Sequence, residues 1–468
     1  MKPVLTLALA RATFDVPFAE DLAQRAFAAA DRTGLPTIGP RELLFDADSA
    51  RAAIAGIDPA SVSGVLLIQA TFTDATMTVE IARAFAGTPI AIWAFPEPRL
   101  GGRLRLNAFC GLNLAAHALQ RAGIAHGWLY ALPEASHIVE FLRDLAVPNQ
   151  ARRSRQRLAR PLDDTVKAAA ERIDARLGGR RIGLIGEHPV GFDTCRYEPE
   201  ALVALAGIAV APIPLDETFA RARAVPDTAI AARRLKAARD YEGLDSVDPA
   251  QLGRSLALHA ALEDIARERG LDALAMRCWP ETFTEFGCAV CGPLGMLTEA
   301  GTPCACEADV YGALTALLMQ EAAGSPAWLV DIVDMDTASD TAVLWHCGSA
   351  PLSMRDPEAA ARAQIHSNRR MPLLAEFPLK PGRITLARVS QARNRPLLVL
   401  GSGEVLRAPK SFTGTSAVVS LKGGIAPALA TLVDEGIEHH LAITYGDQRD
   451  LLEAWAGHRG LPVLDLTA

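Results

Sequence analysis

The chain has 468 residues, half of them hydrophobic and 22% charged, with 47 Lys+Arg against 54 Asp+Glu and a net charge of -7. That length is about three times the ~150 residues at which a single core usually stops growing, so two or three domains are expected, and the composition excludes intrinsic disorder and collagen-like repeats. The mildly acidic balance gives no global attraction for nucleic acid or anionic lipid, so any anionic ligand has to be met by a few placed arginines.

Val4 to Ala10 behind Lys2 has the look of a short signal core, but it runs straight into Arg11 and Thr13-Phe14-Asp15 and reads better as a first buried parallel strand. A helix follows over Phe18 to Thr33, then strand Val65 to Ala70, helix Val79 to Ala86 and strand Pro89 to Ala94. Asn113 to Ala122 reads as a helix and Gly127 to Tyr130 begins another strand. Between Asn149 and Arg160 the chain packs Arg152, Arg153, Arg155, Arg157 and Arg160 into a polar stretch, expected as a boundary or an exposed helix.

The same grammar restarts at strand Arg181 to Ile185 and continues through strand Ile208 to Pro214, helices Thr228 to Ala238 and Ser255 to Arg269, and the apolar run Ala273 to Met276. Past Pro326 the texture changes to short strands: Trp328 to Val333, Ala342 to His346, Gly382 to Val389 and Pro396 to Gly401. Helix Gly424 to Glu435 and strand His440 to Tyr445 return to α/β style. The predicted fold is therefore α/β: two Rossmann-like domains over 1–155 and 156–326, followed by a β-rich, antiparallel barrel-like domain over 327–468.

Eight cysteines are ordinary usage in a chain of this size and fit a reducing, cytoplasmic compartment better than a disulfide scaffold. No run of 18 or more uncharged apolar residues occurs, so no membrane-spanning helix is expected. Cys288, Cys291, Cys304 and Cys306 have the count of a structural zinc site, although their Ala, Val, Leu and Gly neighbours favour buried thiols. Glu281, Glu307 and Asp309 fall in otherwise apolar sequence, where an unpaired buried charge is expensive. Carboxylates joined by the imidazoles of His346 or of His439-His440 would make an oxygen-and-nitrogen site for Mn²⁺, Fe²⁺, Co²⁺ or Mg²⁺.

Cys278-Trp279-Pro280-Glu281, Gly295 to Thr298, and Cys306 through Thr315 resemble the metal-binding core of the L-fucose isomerase and L-arabinose isomerase superfamily. Arg11 with Thr13-Phe14-Asp15, Cys110-Gly111, Gly186 through Phe192, His346 through Ala350, and His439-His440-Leu441 ahead of Tyr445-Gly446-Asp447 fall in the same order as in that superfamily. The resemblance implies that Glu281 and Asp309 are the catalytic, metal-binding carboxylates, with Glu307 as the alternative to Asp309 in the arabinose-type pattern. It also implies that His440 is the last metal ligand and that His346 matches the additional histidine of the arabinose type. Arg11, Asp15, Trp279 and His439 are expected to bind substrate.

The activity so implied is a metal-dependent aldose-ketose isomerisation of an open-chain sugar, moving a proton between C1 and C2 through a cis-enediol with a cation such as Mn²⁺ polarising the oxygens. Two carboxylates suit that task because one proton has to be taken and returned. A pentose, a deoxyhexose or a modified, for instance sulfonated, hexose would serve as substrate, and the superfamily's trimers and hexamers lead us to expect a homo-oligomer. A non-catalytic sugar-binding protein on the same scaffold, or a zinc-stabilised protein using the cysteines, is the rival reading.

Overall fold

The computed structural model describes residues 2–145 and 154–467. The first section forms a parallel sheet in the order Thr37–Ile38, Val4–Leu9, Gly64–Gln69, Ile90–Ala94, His126–Tyr130, with Leu43–Leu44 also pairing the Val4–Leu9 strand. Val4–Leu9 and Gly64–Gln69 are buried along their whole length, as continuous apolar runs in a parallel sheet covered on both faces should be. Helices Val16–Asp31, Thr76–Ala84 and Ala108–Arg121 pack as the expected connections, each turning an alanine- or leucine-rich face inward.

A second parallel sheet, in the order Cys304–Ala305, Ala273–Met276, Arg181–Ile185, Ala209–Ile213, repeats the plan. The third sheet has nine strands. Six of them close a ring: Trp328–Asp336 pairs Thr341–His346 and His440–Tyr445, which continue through Gly382–Ser390, Leu397–Leu406 and Thr415–Leu421 back to Thr341–His346. Every pairing in that ring is antiparallel, so the barrel-like expectation holds, and closure leaves the ring no free edge.

The hydrophobic cores do not respect the sheet boundaries. One runs from Leu5, Leu67 and Phe109 into Trp328, Leu344 and Ile443, and another joins Ile182 and Leu314 to Leu398 and Trp455. Both parallel sheets are thereby fixed against the barrel, with the carboxyl ends of their strands turned toward Trp328–Asp336.

Arg152 and Arg153 lie outside the described residues. The rest of the Arg-rich stretch is not the exposed helix that was one expectation for it: it is an extended strap with a β-bridge from Arg157 to Val463. Arg157 and Arg160 both grip the fully buried carboxylate of Glu453, and the Arg155 backbone N–H donates to Glu435 (2.6 Å). Charge in this run serves folding, because the Arg157 and Arg160 guanidinium groups satisfy the Glu453 carboxylate that the last helix buries. No helix among the described residues is long and apolar enough to cross a membrane.

Candidate active site

A pocket opens where the carboxyl ends of the two parallel sheets meet the barrel, the place where open α/β sheets hold ligands. The first section lends Arg11, Thr13, Phe14, Phe72 and Asn107 to its wall, the second Cys278, Trp279, Phe283 and Glu307, and the barrel Asp331, His346, His366, Arg369 and His439. The barrel's own register builds the deepest part. Asp331 is the cross-strand partner of His440 on one side and of Trp345, next to His346, on the other. Three residues far apart in sequence are therefore neighbours by strand pairing alone.

Glu307 arrives from the second sheet. It follows strand Cys304–Ala305 in a turn where Glu307 and Ala308 both take the left-handed conformation (φ 60° and 56°), a conformation non-glycine residues adopt at some cost and one that cluster at functional sites. Its Oε1 accepts from Trp279 Nε1 (3.1 Å) and its Oε2 lies 2.9 Å from His439 Nε2 and 3.7 Å from His440 Nε2. Burial works to raise the Glu307 carboxyl, but the His439 hydrogen bond and the adjacent imidazoles outweigh it and hold it at about 2. Burial likewise opposes the charge on His439, and Glu307 more than offsets it, pushing that imidazole up.

Asp309 occupies a different position. It caps helix Val310–Ala323 by accepting from Gly312 N–H (2.8 Å), accepts two hydrogen bonds from Arg388 (2.5 and 3.0 Å), and lies 2.8 Å from His440 Nδ1. Its lone pairs are committed, and it does not line the pocket. What it does is orient His440: taking the proton on Nδ1 leaves Nε2 as a bare lone pair. His346 is held the other way, since its Nδ1 accepts from the Cys347 backbone N–H (2.9 Å). A neutral His346 consequently carries its proton on Nε2.

Three buried ligand atoms, Asp331 Oδ1, His346 Nε2 and His440 Nε2, have no hydrogen-bond partner among the described residues. They lie within 4.8 Å of one another, and Glu307, His439 and His440 form an overlapping group of the same kind. Buried polar atoms without partners are rare in folded proteins, and a carboxylate oxygen beside an imidazole lone pair is the donor set a divalent cation takes. The residues present fit such an ion.

Comparison with known proteins gives the chain's family. A family model described as the N-terminal domain of fucose/sulfoquinovose isomerase matches residues 6–147. A sulfoquinovose isomerase from Alkalicoccus urumqiensis is 30% identical over 470 residues, covering 100% of both chains. One from Priestia aryabhattai is 29% identical over 450 residues, covering 95% of this chain and 94% of its own. Another, from Clostridium sp. (strain MSTE9), is 30% identical over 401 residues, 84% of each. The chain belongs to the fucose/sulfoquinovose isomerase family.

It is thus an enzyme, a sugar isomerase, and the pocket can be read against the residues expected for that activity. Arg11, Trp279, His346, His439 and Glu307 line it, with His440 immediately behind. Asp15 does not: it caps helix Val16–Asp31 and pairs with Arg105 (2.7 Å). Glu281 is not brought to the cluster either, because both of its oxygens are taken by Arg277 (2.6 and 2.7 Å). The zinc reading of the cysteines finds no support. All eight are free, and none of Cys288, Cys291, Cys304 or Cys306 belongs to a group of converging ligands among the described residues.

The residue that sequence reasoning missed is Asp331. A signal was there: Trp328–Asp336 is a buried strand interrupted by two carboxylates, Asp331 and Asp334, and a charge inside a buried strand needs a partner. Asp334 has several, in Arg99, Tyr130 and the Glu97 backbone N–H. Asp331 Oδ1 has none of that kind.

Proposed function

We propose that the enzyme interconverts a hexose carrying a sulfonate at C6 and the corresponding ketose, in its open-chain form, with a divalent cation held by Glu307, Asp331 and His440. The observation that carries this reading is that Asp331 Oδ1 and the His440 Nε2 lone pair are buried without hydrogen-bond partners among the described residues, and that His440 also converges with Glu307. The names of the full-length relatives support the sulfonated substrate. When bound, a cation such as Mn²⁺ supplies the Lewis acidity that makes the hydrogen beside a carbonyl acidic.

The remaining chemistry belongs to the chain. Glu307 is the carboxylate we assign to the proton: it is ionised, it lines the pocket, and His439 and Trp279 fix its two oxygens. It removes the C2 proton of the aldose and returns it to C1, while the O2 hydroxyl proton passes to O1 within the enediol, or the reverse. His439 Nε2 holds the Glu307 carboxylate in place between turnovers. His346 Nε2–H is placed to donate to a sugar oxygen as its charge changes. Phe72, Trp279 and Trp345 line the wall of the pocket and limit water there, so that the proton held on Glu307 exchanges with solvent only in part before it is returned. Asp309 and Arg388 touch no substrate; they hold His440 in one tautomer.

The test is turnover of 6-deoxy-6-sulfoglucose by chelated protein before and after Mn²⁺ is added, followed by NMR in deuterated water. We expect activity only with metal, and deuterium at C2 of the aldose or C1 of the ketose. Turnover by the chelated protein, or complete absence of solvent label, would remove the metal or the enediol from the mechanism.

A further inference from the structure

The cations around the pocket are not equivalent. Arg11 is neutralised by Asp74 (2.5 Å). Arg105 is paired with Asp15, and Arg103 donates to Asn368 Oδ1 (2.7 Å) and to the Thr13 carbonyl (2.9 Å). Arg369 lines the pocket, and no carboxylate pairs with its guanidinium among the described residues. That group lies instead against two aromatic faces, 5.1 Å from the ring centre of Trp279 and 5.1 Å from that of Phe283. Arg11 is over the same indole at 5.0 Å.

A guanidinium half-buried among aromatic rings, next to another cation and without a counter-ion, is energetically incomplete; burial already lowers its hold on its proton. An anionic ligand completes it. Trp279 relates this cation to the reacting end of the pocket, because the same indole gives its Nε1–H to Glu307. The indole therefore touches both the group at the reacting end and the unpaired guanidinium.

We propose that Arg369 is the specificity-determining anchor for the substrate's anionic substituent, meeting the oxygens of a monoanionic sulfonate with its planar fork, while Arg11 stands across the indole and Asn368 beside it. The proposal rests on the sulfonated-hexose reading above and adds the residue that enforces it. Charge favours sulfonate over phosphate here. With Arg11 paired to Asp74, Arg369 is the lining guanidinium without a carboxylate among the described residues, and its single charge matches a sulfonate better than the roughly -1.5 to -2 of a phosphate monoester.

The experiment compares wild type, Arg369→Gln and Arg369→Lys in two ways. Calorimetry on metal-stripped protein measures binding of the sugar alcohol made by reducing 6-deoxy-6-sulfoglucose, of unsubstituted glucitol, and of glucitol 6-phosphate, none of which can be isomerised. Steady-state kinetics with Mn²⁺ then compares the sulfonated and the unsubstituted hexose. We expect wild type to prefer the sulfonated alcohol, and Arg369→Gln to lose about tenfold to a hundredfold in that affinity and, mainly through KM, in turnover of the sulfonated sugar, as for one charged hydrogen-bonding partner removed. The losses for the unsubstituted compounds should be at least about tenfold smaller than for the sulfonated ones, and Arg369→Lys should recover part of the loss. Equal losses for charged and neutral compounds, no preference in wild type, or tighter binding of the phosphate would overturn the anchor. If wild type prefers the sulfonated alcohol through Arg369 but never isomerises the sulfonated sugar, the anchor stands and the proposed reaction falls.

Discussion

Asp331 and Asp334 sit three positions apart on one buried strand, and their partners separate their roles. Asp334 is saturated by Arg99, Tyr130 and a backbone N–H, whereas Asp331 offers a bare oxygen to the pocket. Asp331→Asn should therefore abolish metal retention, read by elemental analysis after dialysis, and cut kcat by about 10²-fold or more, as for loss of a group acting directly on the reaction. Its melting temperature without metal should change little, since Asp331 Oδ1 makes no hydrogen bond among the described residues. Glu281→Gln should keep bound metal and most of its activity, because Glu281 is spent on Arg277. The resemblance implies Glu281 and Asp309 as ligands from local motif, and the structure pairs them with Arg277 and Arg388. Motifs describe a residue's chain neighbours, and neither Arg277's grip on Glu281 nor Arg388's on Asp309 could be read from them.

At the scale of elements, the start of helix Val310–Ala323 is fitted against strand Trp328–Asp336 through Gly312. A Cβ at that position would stand 2.6 Å from Asp309 Oδ2 and 3.0 Å from Leu329 Cδ1. Gly312→Ala should push the Asp309 carboxylate off its cap and off His440, costing about 1–3 kcal/mol by urea unfolding, with kcat falling more than KM rises. Arg388→Met tests the same joint from the barrel side. It strands Asp309 and Glu438 without their buried cation and should cost about 3–5 kcal/mol. The strands and helices themselves were legible in the sequence: Arg181–Ile185, Ala273–Met276 and His440–Tyr445 form where their apolar runs predict. Periodicity reports which residues a single element must bury, and that is a local property.

For the whole molecule, the strap around Arg155 to Arg160 ties the middle of the chain to its end. Burial alone would raise the Glu453 carboxyl, but the hydrogen bonds from Arg157 and Arg160 outweigh it and lower it from 4.5 to about 2. The stability this supplies is present in full above pH 4.5 and is lost as the pH falls from there toward 2. Because both arginines are partly exposed, at most about 3 kcal/mol is at stake. The difference in urea stability between wild type and Glu453→Gln should shrink steadily between pH 5 and pH 2.5; a constant difference would mean that the strap contributes through packing alone.

By itself the sequence determined the three-part α/β, α/β, β-barrel plan, the burial of its strands and the chemistry class of its polar residues, because hydrophobic periodicity and residue type act within a few positions of the chain. It could not determine which carboxylates meet. Glu307 is brought to His440 by the second sheet meeting the barrel, Asp331 is brought to His440 by the register of antiparallel strands, and Arg369 has no carboxylate partner among the described residues. Only the tertiary structure decided those pairings, since a buried charge is defined by what surrounds it in space.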